Sequence, residues 1–219
     1  VLIIEEHSEI GRPFQCAGLV NPGAMAKVPM EKSVLSPIWG ARINSPSGIT
    51  VDIGSPERIR TWSVCRKKFD EGVVKLAIDS GAELLLNSRP TNISKFDEYA
   101  EVSVKSEDKE IKIRCALVCG CDGAHSWVRR YMRMGRPKEM MIGYQVEVTG
   151  YPHDQGKLDM FTGSHIAPGF FAWAIPSGET TRIGMWSKAE LLTDISCEML
   201  ISNLMNDSMW KNRFENVSK

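Results

Sequence analysis

Residues 117–130 read LVCGCDGAHSWVRR. An apolar run leads into a turn with two glycines and one acid, and a basic segment follows over Trp127 to Met134. The order is that of a buried strand, a tight turn and a short helix. In α/β sheets this is where backbone N–H groups and a helix N-terminus receive phosphate. Ala116 to Cys119 is therefore predicted as a buried strand and Trp127 to Met134 as a basic helix. Asp122 and Ser126 also stand where side-chain oxygens cap such a helix. Asp122 and Gly123 thus read either as a cofactor turn or as plain capping.

The first residues, VLIIEEH, carry a related pattern. Val1 to Ile4 is predicted as a buried parallel strand that ends on an acid. In a dinucleotide-binding βαβ unit, the acid closing the second strand accepts hydrogen bonds from ribose hydroxyls. Glu5 fits that acid and Glu6 is its register alternative; an ordinary sheet edge explains the same residues. The glycine-rich turn that belongs with such an acid is expected roughly 20–30 residues upstream of Glu5. The sequence accordingly reads as an internal stretch of a longer protein, and by itself it is expected to bind a dinucleotide poorly.

Between these two signals the pattern alternates. Residues 8–37, punctuated by Gly11, Pro13, Gly18, Pro22, Gly23 and Pro29, are predicted as a long irregular loop. Ala41 to Asn44 and Ile49 to Ile53 flank SPSG as a hairpin. Arg66 to Ser80 is predicted helical, with Phe69, Val73, Leu76 and Ala77 on one stripe and Gly81 as its stop. Leu84 to Leu86 is a short strand, and a second hairpin turns at SEDK, residues 106–109. After Met140 the pattern is mostly β, with a helical tail after Lys188. Strands and a helix interrupted by hairpins argue for an α/β nucleotide-binding core with a largely antiparallel second domain.

Composition excludes several classes. The 219 residues are 42% hydrophobic and 25% charged, with 27 basic and 27 acidic side chains, so no global basic field attracts nucleic acid. No apolar run approaches the ~20 residues of a membrane span. Six cysteines without framework spacing read as reduced intracellular thiols. Cys115, Cys119 and Cys121 share one face by even spacing, but no fourth ligand appears and no metal is expected. The four histidines show no helical pairing, and no Walker loop, GxSxG elbow or HExxH is present. Arg129, Arg130, Arg133, Arg136 and Lys138 either complement a helix C-terminus or dock a phosphate headgroup or pyridine nucleotide. Cys16 lies in a Gly/Pro loop; it is either a small filler or a working thiol. Arg66 opens a helix, where a cation opposes the dipole, so it is either solvated or paired with an anion.

Four segments in order, VLIIEEHSEIGRPFQCAG, VCRKKFDEGV, LVCGCDGAHSWVRR and PGFFAWAIPSGE, resemble the FAD-dependent geranylgeranyl reductase family, within the flavoproteins built like p-hydroxybenzoate hydroxylase. The Asp-Gly turn is similar to that of the whole group. The GRPFQCAG loop and the FAWAIP strand are similar to the Cys-containing loop and the YxWxFP motif of isoprenoid-reducing members, with Phe171 for the Tyr and Ile175 for the Phe. The resemblance implies a Rossmann-like FAD-binding domain, incomplete here and lacking a GDAAG-type second motif, with an inserted antiparallel β substrate domain. It implies domains at 1–37 with 60–137, and at 38–59 with 138–219. It implies FAD at Glu5, Cys16, Ala17, Gly18, Arg66, Pro90, Asp122 and Gly123, with Pro90 contributing its carbonyl. Cys16 would be catalytic, and Phe171, Trp173, Ile175 and Pro176 would line the substrate, with Phe170 beside them. The implied activity is reduction of isoprenoid C=C bonds by NADPH, NADH or ferredoxin, in a cytoplasmic protein with peripheral membrane contact. A flavin-dependent aromatic hydroxylase or halogenase, or a stretch that binds no flavin, are the alternatives. Cys16 and Trp173 are expected to meet at one cavity, with Glu5 and Asp122 at its cofactor end.

Overall fold

The computed structural model describes residues 1–107 and 109–218. In chain order its strands are β1 (Leu2–Ile4), β2 (Leu19–Val20), β3 (Val34–Ile38), β4 (Gly40–Asn44), β5 (Thr50–Gly54), β6 (Thr61–Val64) and β7 (Glu83–Leu85). There follow β8 (Ser88–Lys95), β9 (Ala100–Ser106), β10 (Lys109–Cys115), β11 (Met141–Val148), β12 (Lys157–Thr162), β13 (Phe171–Ser177) and β14 (Thr180–Lys188). The helices are α1 (Pro22–Lys27), α2 (Arg66–Asp79), α3 (Trp127–Tyr131) and α4 (Cys197–Asn206). The chain divides into two compact units, Val1–Pro13 with Asp70–Lys138, and Phe14–Phe69 with Glu139–Lys219. This division differs from the domain boundaries expected from sequence, because residues 14–37 and 60–69 fall with the antiparallel sheet.

In the first unit, β1 pairs in parallel with β7, Ile3 opposite Leu84. β1 is half-buried rather than buried, since this sheet has two strands among the described residues. β8, β9 and β10 form an antiparallel sheet, in which β9 and β10 are the second hairpin expected around residues 106–109. Its turn residue Asp108 lies outside the described residues. Ile93, Val102 and Val104 form the core, on which Ile4, Leu85, Val118, Trp127 and Val128 also pack. The predicted strand at Ala116 to Cys119 is not formed: these residues have no regular structure and Leu117 is 75% exposed. An apolar run becomes a strand only where a neighbour supplies the ladder, and no described strand lies beside this one. The basic helix is also shorter than predicted and ends at Tyr131, with Arg133 at φ 53° beyond it. α2 runs nearly as predicted, and Gly81 at φ 92° closes it.

In the second unit a six-stranded sheet has the order β11-β14-β13-β12-β4-β5. Every pairing is antiparallel except β12 with β4. The predicted 41–53 hairpin is β4–β5. α4 packs its buried residues Cys197, Leu200, Ile201 and Leu204, spaced at helical intervals, on one face of the sheet. Its N-terminus is capped by Ser196, which accepts the Met199 N–H at 3.2 Å. Phe161, Ala172, Ala174, Ile183, Met185, Trp210 and Phe214 complete that core.

The predicted loop at 8–37 is a correction. It contains β2, α1, a 3-10 turn and β3. α1 begins with Pro22 behind the capping Asn21, a start signal legible in the sequence. The pieces are two to six residues long, too short to display a period. β2 and β3 flank β6, and Val20, Met25 and Val64 bury with Trp62 and Phe69 against them.

Candidate functional site

The β13–β14 hairpin fixes the site in the second unit. Ser177 pairs with Thr180 across Gly178, which takes φ 73°, and Glu179. The register then places Trp173 opposite Gly184 and Ile175 opposite Arg182. On the next strand Gly143 faces Trp186, Gln145 faces Gly184 and Glu147 faces Arg182. Directly opposed residues share a face. Phe171, Trp173, Ile175, Arg182 and Trp186 therefore lie on the side of the sheet away from α4. Pro176 pairs with Thr181 and alternates to the other side with Ala172 and Ala174.

Four rings gather on this face. Phe170 stacks on Phe171 with centroids 4.4 Å apart, Trp186 lies 5.6 Å from Phe170, and Trp173 lies 5.7 Å from Trp186 and 6.3 Å from Phe171. Two glycines seat the indoles. A Cβ on Gly184 would stand 2.7 Å from Trp173 Cε2, and a Cβ on Gly143 would overlap the Trp186 ring. Trp173 is 6% exposed and donates its indole N–H to Gln145 Oε1 at 3.2 Å, whereas Trp186 is 46% exposed. Sequence inspection missed Trp186. Its signal was the short turn at 178–179, which sets the register that brings Trp186 beside Trp173.

The same unit holds Cys16, Ala17, Gly18 and Arg66 together. Cys16 is exposed; its Sγ accepts the Gly18 N–H at 3.4 Å and lies 3.8 Å from Arg66 Nη1. Arg66 also stands over the Phe69 ring at 5.5 Å. Gly18, at φ 76°, accepts the Val64 N–H at 2.8 Å. Arg182 links this loop to the sheet: its Nη1 donates to the carbonyls of Ala17 and Val64, both at 3.0 Å, and its Nε donates to Glu147 Oε1 at 2.8 Å. Arg182 and Gly184 are two positions apart, about 7 Å along a strand. The loop backbone thus reaches the sheet face that carries Trp173. The α4 side of the sheet has a cavity of about 520 Å³, lined by Tyr144, Glu198, Met205 and Phe214, and neither Cys16 nor Trp173 lines it.

In the first unit Glu5 follows β1, and its Oε1 receives the His7 N–H at 2.9 Å with His7 Nδ1 2.6 Å away. Glu6 instead pairs with Arg89 at 2.9 Å. Asp122 Oδ2 accepts the Val128 N–H at 3.0 Å, and Ser126 Oγ accepts that of Arg129 at 3.0 Å. Burial pushes the Asp122 carboxyl up, but hydrogen bonds from Ser126 and the Val128 N–H, among others, hold it below the ordinary carboxylate value. The capping role of Asp122 is therefore fulfilled. Gly123 stands at φ 77°, and nothing lies within 4 Å of where its Cβ would be. Pro90 sits in β8 opposite Val104, beside a register shift in the ladder. A second cavity of about 480 Å³, lined among others by Ile93, Tyr99, Val118 and Met132, belongs to this unit. Among the described residues no group of three metal-ligating side chains gathers, and no helix is long and apolar enough to cross a membrane.

Comparison with known proteins gives a consistent result. The chain is 31% identical over 196 residues to digeranylgeranylglycerophospholipid reductase 3 of Methanosphaera stadtmanae, covering 84% of this chain and 49% of that protein. It is 31% identical over 189 residues to the digeranylgeranylglycerophospholipid reductase of Methanosarcina acetivorans, covering 82% and 46%. It thus spans about half the length of the curated relatives it matches. Among solved structures, a geranylgeranyl bacteriochlorophyll reductase-like protein from Thermoplasma acidophilum aligns with TM-score 0.85 at 20% identity, over 99% of this chain and 57% of that one. The halogenase PltM, solved with phloroglucinol and FAD, aligns with TM-score 0.74 at 13% identity, over 100% of this chain and 53% of its own. These structures share the mixed α/β fold. Residues 54–183, more than half of the sequence, match the FAD binding domain family, and the chain belongs to that family.

Proposed function

We propose that this chain is part of an FAD-dependent reductase of isoprenoid C=C bonds, acting on the geranylgeranyl chains of membrane lipids or their precursors. The observation that carries the proposal is the four-ring face of the second unit, with the Cys16 loop fastened to the same side of the sheet. A polyprenyl chain offers almost no polar handle, so its recognition has to come from apolar and aromatic surface. The names of the curated relatives support the same substrate class.

Each unit, taken by itself, has residues that fit part of FAD. In the first unit, the two hydrogen bonds that the Glu5 carboxylate receives among the described residues fall on Oε1, and Oε2 would accept from a ribose hydroxyl. Open space at Gly123 lets backbone approach a ligand closely. Asp122 holds that turn to α3 rather than touching the ligand. In the second unit Arg66 and the backbone of Cys16, Ala17 and Gly18, which the structure holds together, would meet the cofactor. When bound in its reduced state, FAD supplies the hydride for alkene reduction. Phe170, Phe171, Trp173 and Trp186 hold the chain and keep water from the double bond, and Ile175 extends the wall. Cys16 Sγ provides the proton for the second alkene carbon. NADPH, NADH or ferredoxin is the source of electrons.

The test is lipid mass spectrometry after expression of the complete gene in a host that makes unsaturated geranylgeranyl lipids. Each bond reduced adds two hydrogens to the lipid. Unchanged lipids, with oxygen consumed on NADPH alone and an aromatic substrate hydroxylated or halogenated, would replace this proposal with the monooxygenase or halogenase reading.

A further inference from the structure

We infer that Arg182 is a positioning residue: it clamps the loop Phe14–Gly18 to the sheet and so fixes where Cys16 stands. The kinetic part of this inference rests on the reductase reading above; the structural part does not.

Arg182 lies in mid-strand and is 2% exposed. A buried guanidinium is tolerated only where its donors find acceptors. Here one nitrogen, Nη1, bridges two separate segments by donating to the carbonyls of Ala17 in the loop and Val64 at the end of β6. The Phe14 ring lies over the guanidinium carbon at 4.8 Å. Glu147, which receives Nε, has a side chain 47% exposed and belongs to the neighbouring strand of the sheet, not to the loop. The two backbone carbonyls that Nη1 bridges therefore tie the loop and its neighbour to the sheet.

The loop is built to receive it. A Cβ on Gly18 would overlap Arg182 Nη1 and come within 2.8 Å of the Val64 carbonyl oxygen, and φ there is 76°. Only a glycine lets the backbone lie against the cation. The N–H of that same glycine holds Cys16 Sγ at 3.4 Å. The two residues that follow Cys16 are thus the two that Arg182 immobilises. Residues 12–18 have no helix or strand of their own to fix them. A lysine would place a point charge near the carbonyls without the planar fork that reaches both of them and Glu147.

The test uses the complete FAD-loaded protein and its Arg182→Met, Arg182→Lys, Gly18→Ala and Glu147→Gln variants. Two readouts are needed: amide hydrogen exchange of peptides covering 14–20 and 197–206, and steady-state alkene reduction. In Arg182→Met, exchange over 14–20 is expected to rise roughly tenfold, as for the loss of a charge-assisted hydrogen bond, with α4 unchanged. Displacing Cys16 is expected to lower kcat on the order of 100-fold with little change in KM, because the aromatic face is intact. Arg182→Lys should behave like Met, which separates the fork from the charge. Gly18→Ala should reproduce the loop exchange, and it serves if the Arg182 variants do not fold. Glu147→Gln should leave loop exchange within about twofold, since the carbonyl bridge survives. The inference is overturned if loop exchange stays at the wild-type rate in both Arg182→Met and Gly18→Ala. It is also overturned if exchange rises equally in α4, or if Glu147→Gln matches Arg182→Met. Should the wild type reduce no alkene, the reductase reading falls, while the exchange rates still decide the clamp.

Discussion

The two faces of the six-stranded sheet in the second unit are made by the same strands, yet they end differently. Toward α4, Phe161, Ile183, Met185 and Leu204 are 0% exposed, and Trp210 and Phe214 are each 6% exposed. On the opposite face Trp173 is as buried as those residues, but Phe170 and Trp186 are 40% and 46% exposed. Both faces are aromatic, so hydrophobicity does not distinguish a core from a candidate site here. The α4 face is closed by a helix whose apolar residues interlock with it. The other face is levelled by two glycines, so that both indoles lie across the strands, and Phe170 and Trp186 keep open rims.

The comparison breaks most visibly at Phe161. Phe161→Ala should destabilise the protein by about 3–5 kcal/mol, measured by denaturant unfolding, because a closed core cannot refill the cavity. A loss below about 1 kcal/mol would mean that the α4 face is not a rigid core.

On the open face the large effect should move to turnover. Trp173→Ala is expected to lower alkene reduction on the order of 100-fold while FAD per folded protein changes little. Trp173→Phe, which keeps a ring, should recover most of the activity. Full activity in the alanine variant would remove this face from the reaction.

Tyr151 sharpens the closed face through pH. Burial, then the neighbouring Asp159 carboxylate that accepts its hydroxyl at 2.7 Å, raises its pKa well above the ordinary tyrosine value. A phenol with a raised folded pKa contributes stability that is complete below the unfolded value of ~10 and is lost as pH climbs from there toward the folded value. Wild-type stability should therefore decline above about pH 10 more steeply than that of Tyr151→Phe, which should cost roughly 1–2 kcal/mol at neutral pH. Parallel declines in the two proteins would contradict the shift.

The smallest expected effect is at Trp186. Because its ring is half out of the sheet, Trp186→Ala should change stability by no more than about 0.5–1 kcal/mol. It should raise KM for the polyprenyl substrate roughly tenfold, as one aromatic contact is lost. An unaltered KM would confine the substrate wall to Trp173 and Phe171.

How much of this was legible in the sequence depended on how many residues carried each signal. The hairpin at 40–54 and the helix ended by Gly81 were readable because period and punctuation agreed over many residues. The short elements between 19 and 38 were not, since a two-residue strand has no period. The apolar run at 116–119 misled for a different reason: strand character lies partly in the partner, which composition does not reveal. On the aromatic face, Trp173 was singled out through a motif resemblance, whereas Arg182 and Trp186 were not. An arginine amid TTRIGMW is a buried cation calling for acceptors, and the turn at 178–179 would have supplied the register to place it.

The pairing of β4 with β12 has a consequence during synthesis. It is parallel, and Asn44 donates its side-chain amide to the Met160 carbonyl 116 positions later at 3.0 Å. The β4–β5 hairpin can form as soon as it leaves the ribosome, but the ladder edge of β4 then stays unpaired until residues 157–162 have emerged. At synthesis rates of ~5–20 residues per second, that wait lasts on the order of ten seconds. Val51 and Ile53, on the partner strand, are exposed even in the finished fold. A nascent chain arrested before residue 157 would therefore present an adhesive β-edge to its neighbours, and its solubility should depend on chaperones in a way that of the completed sheet does not.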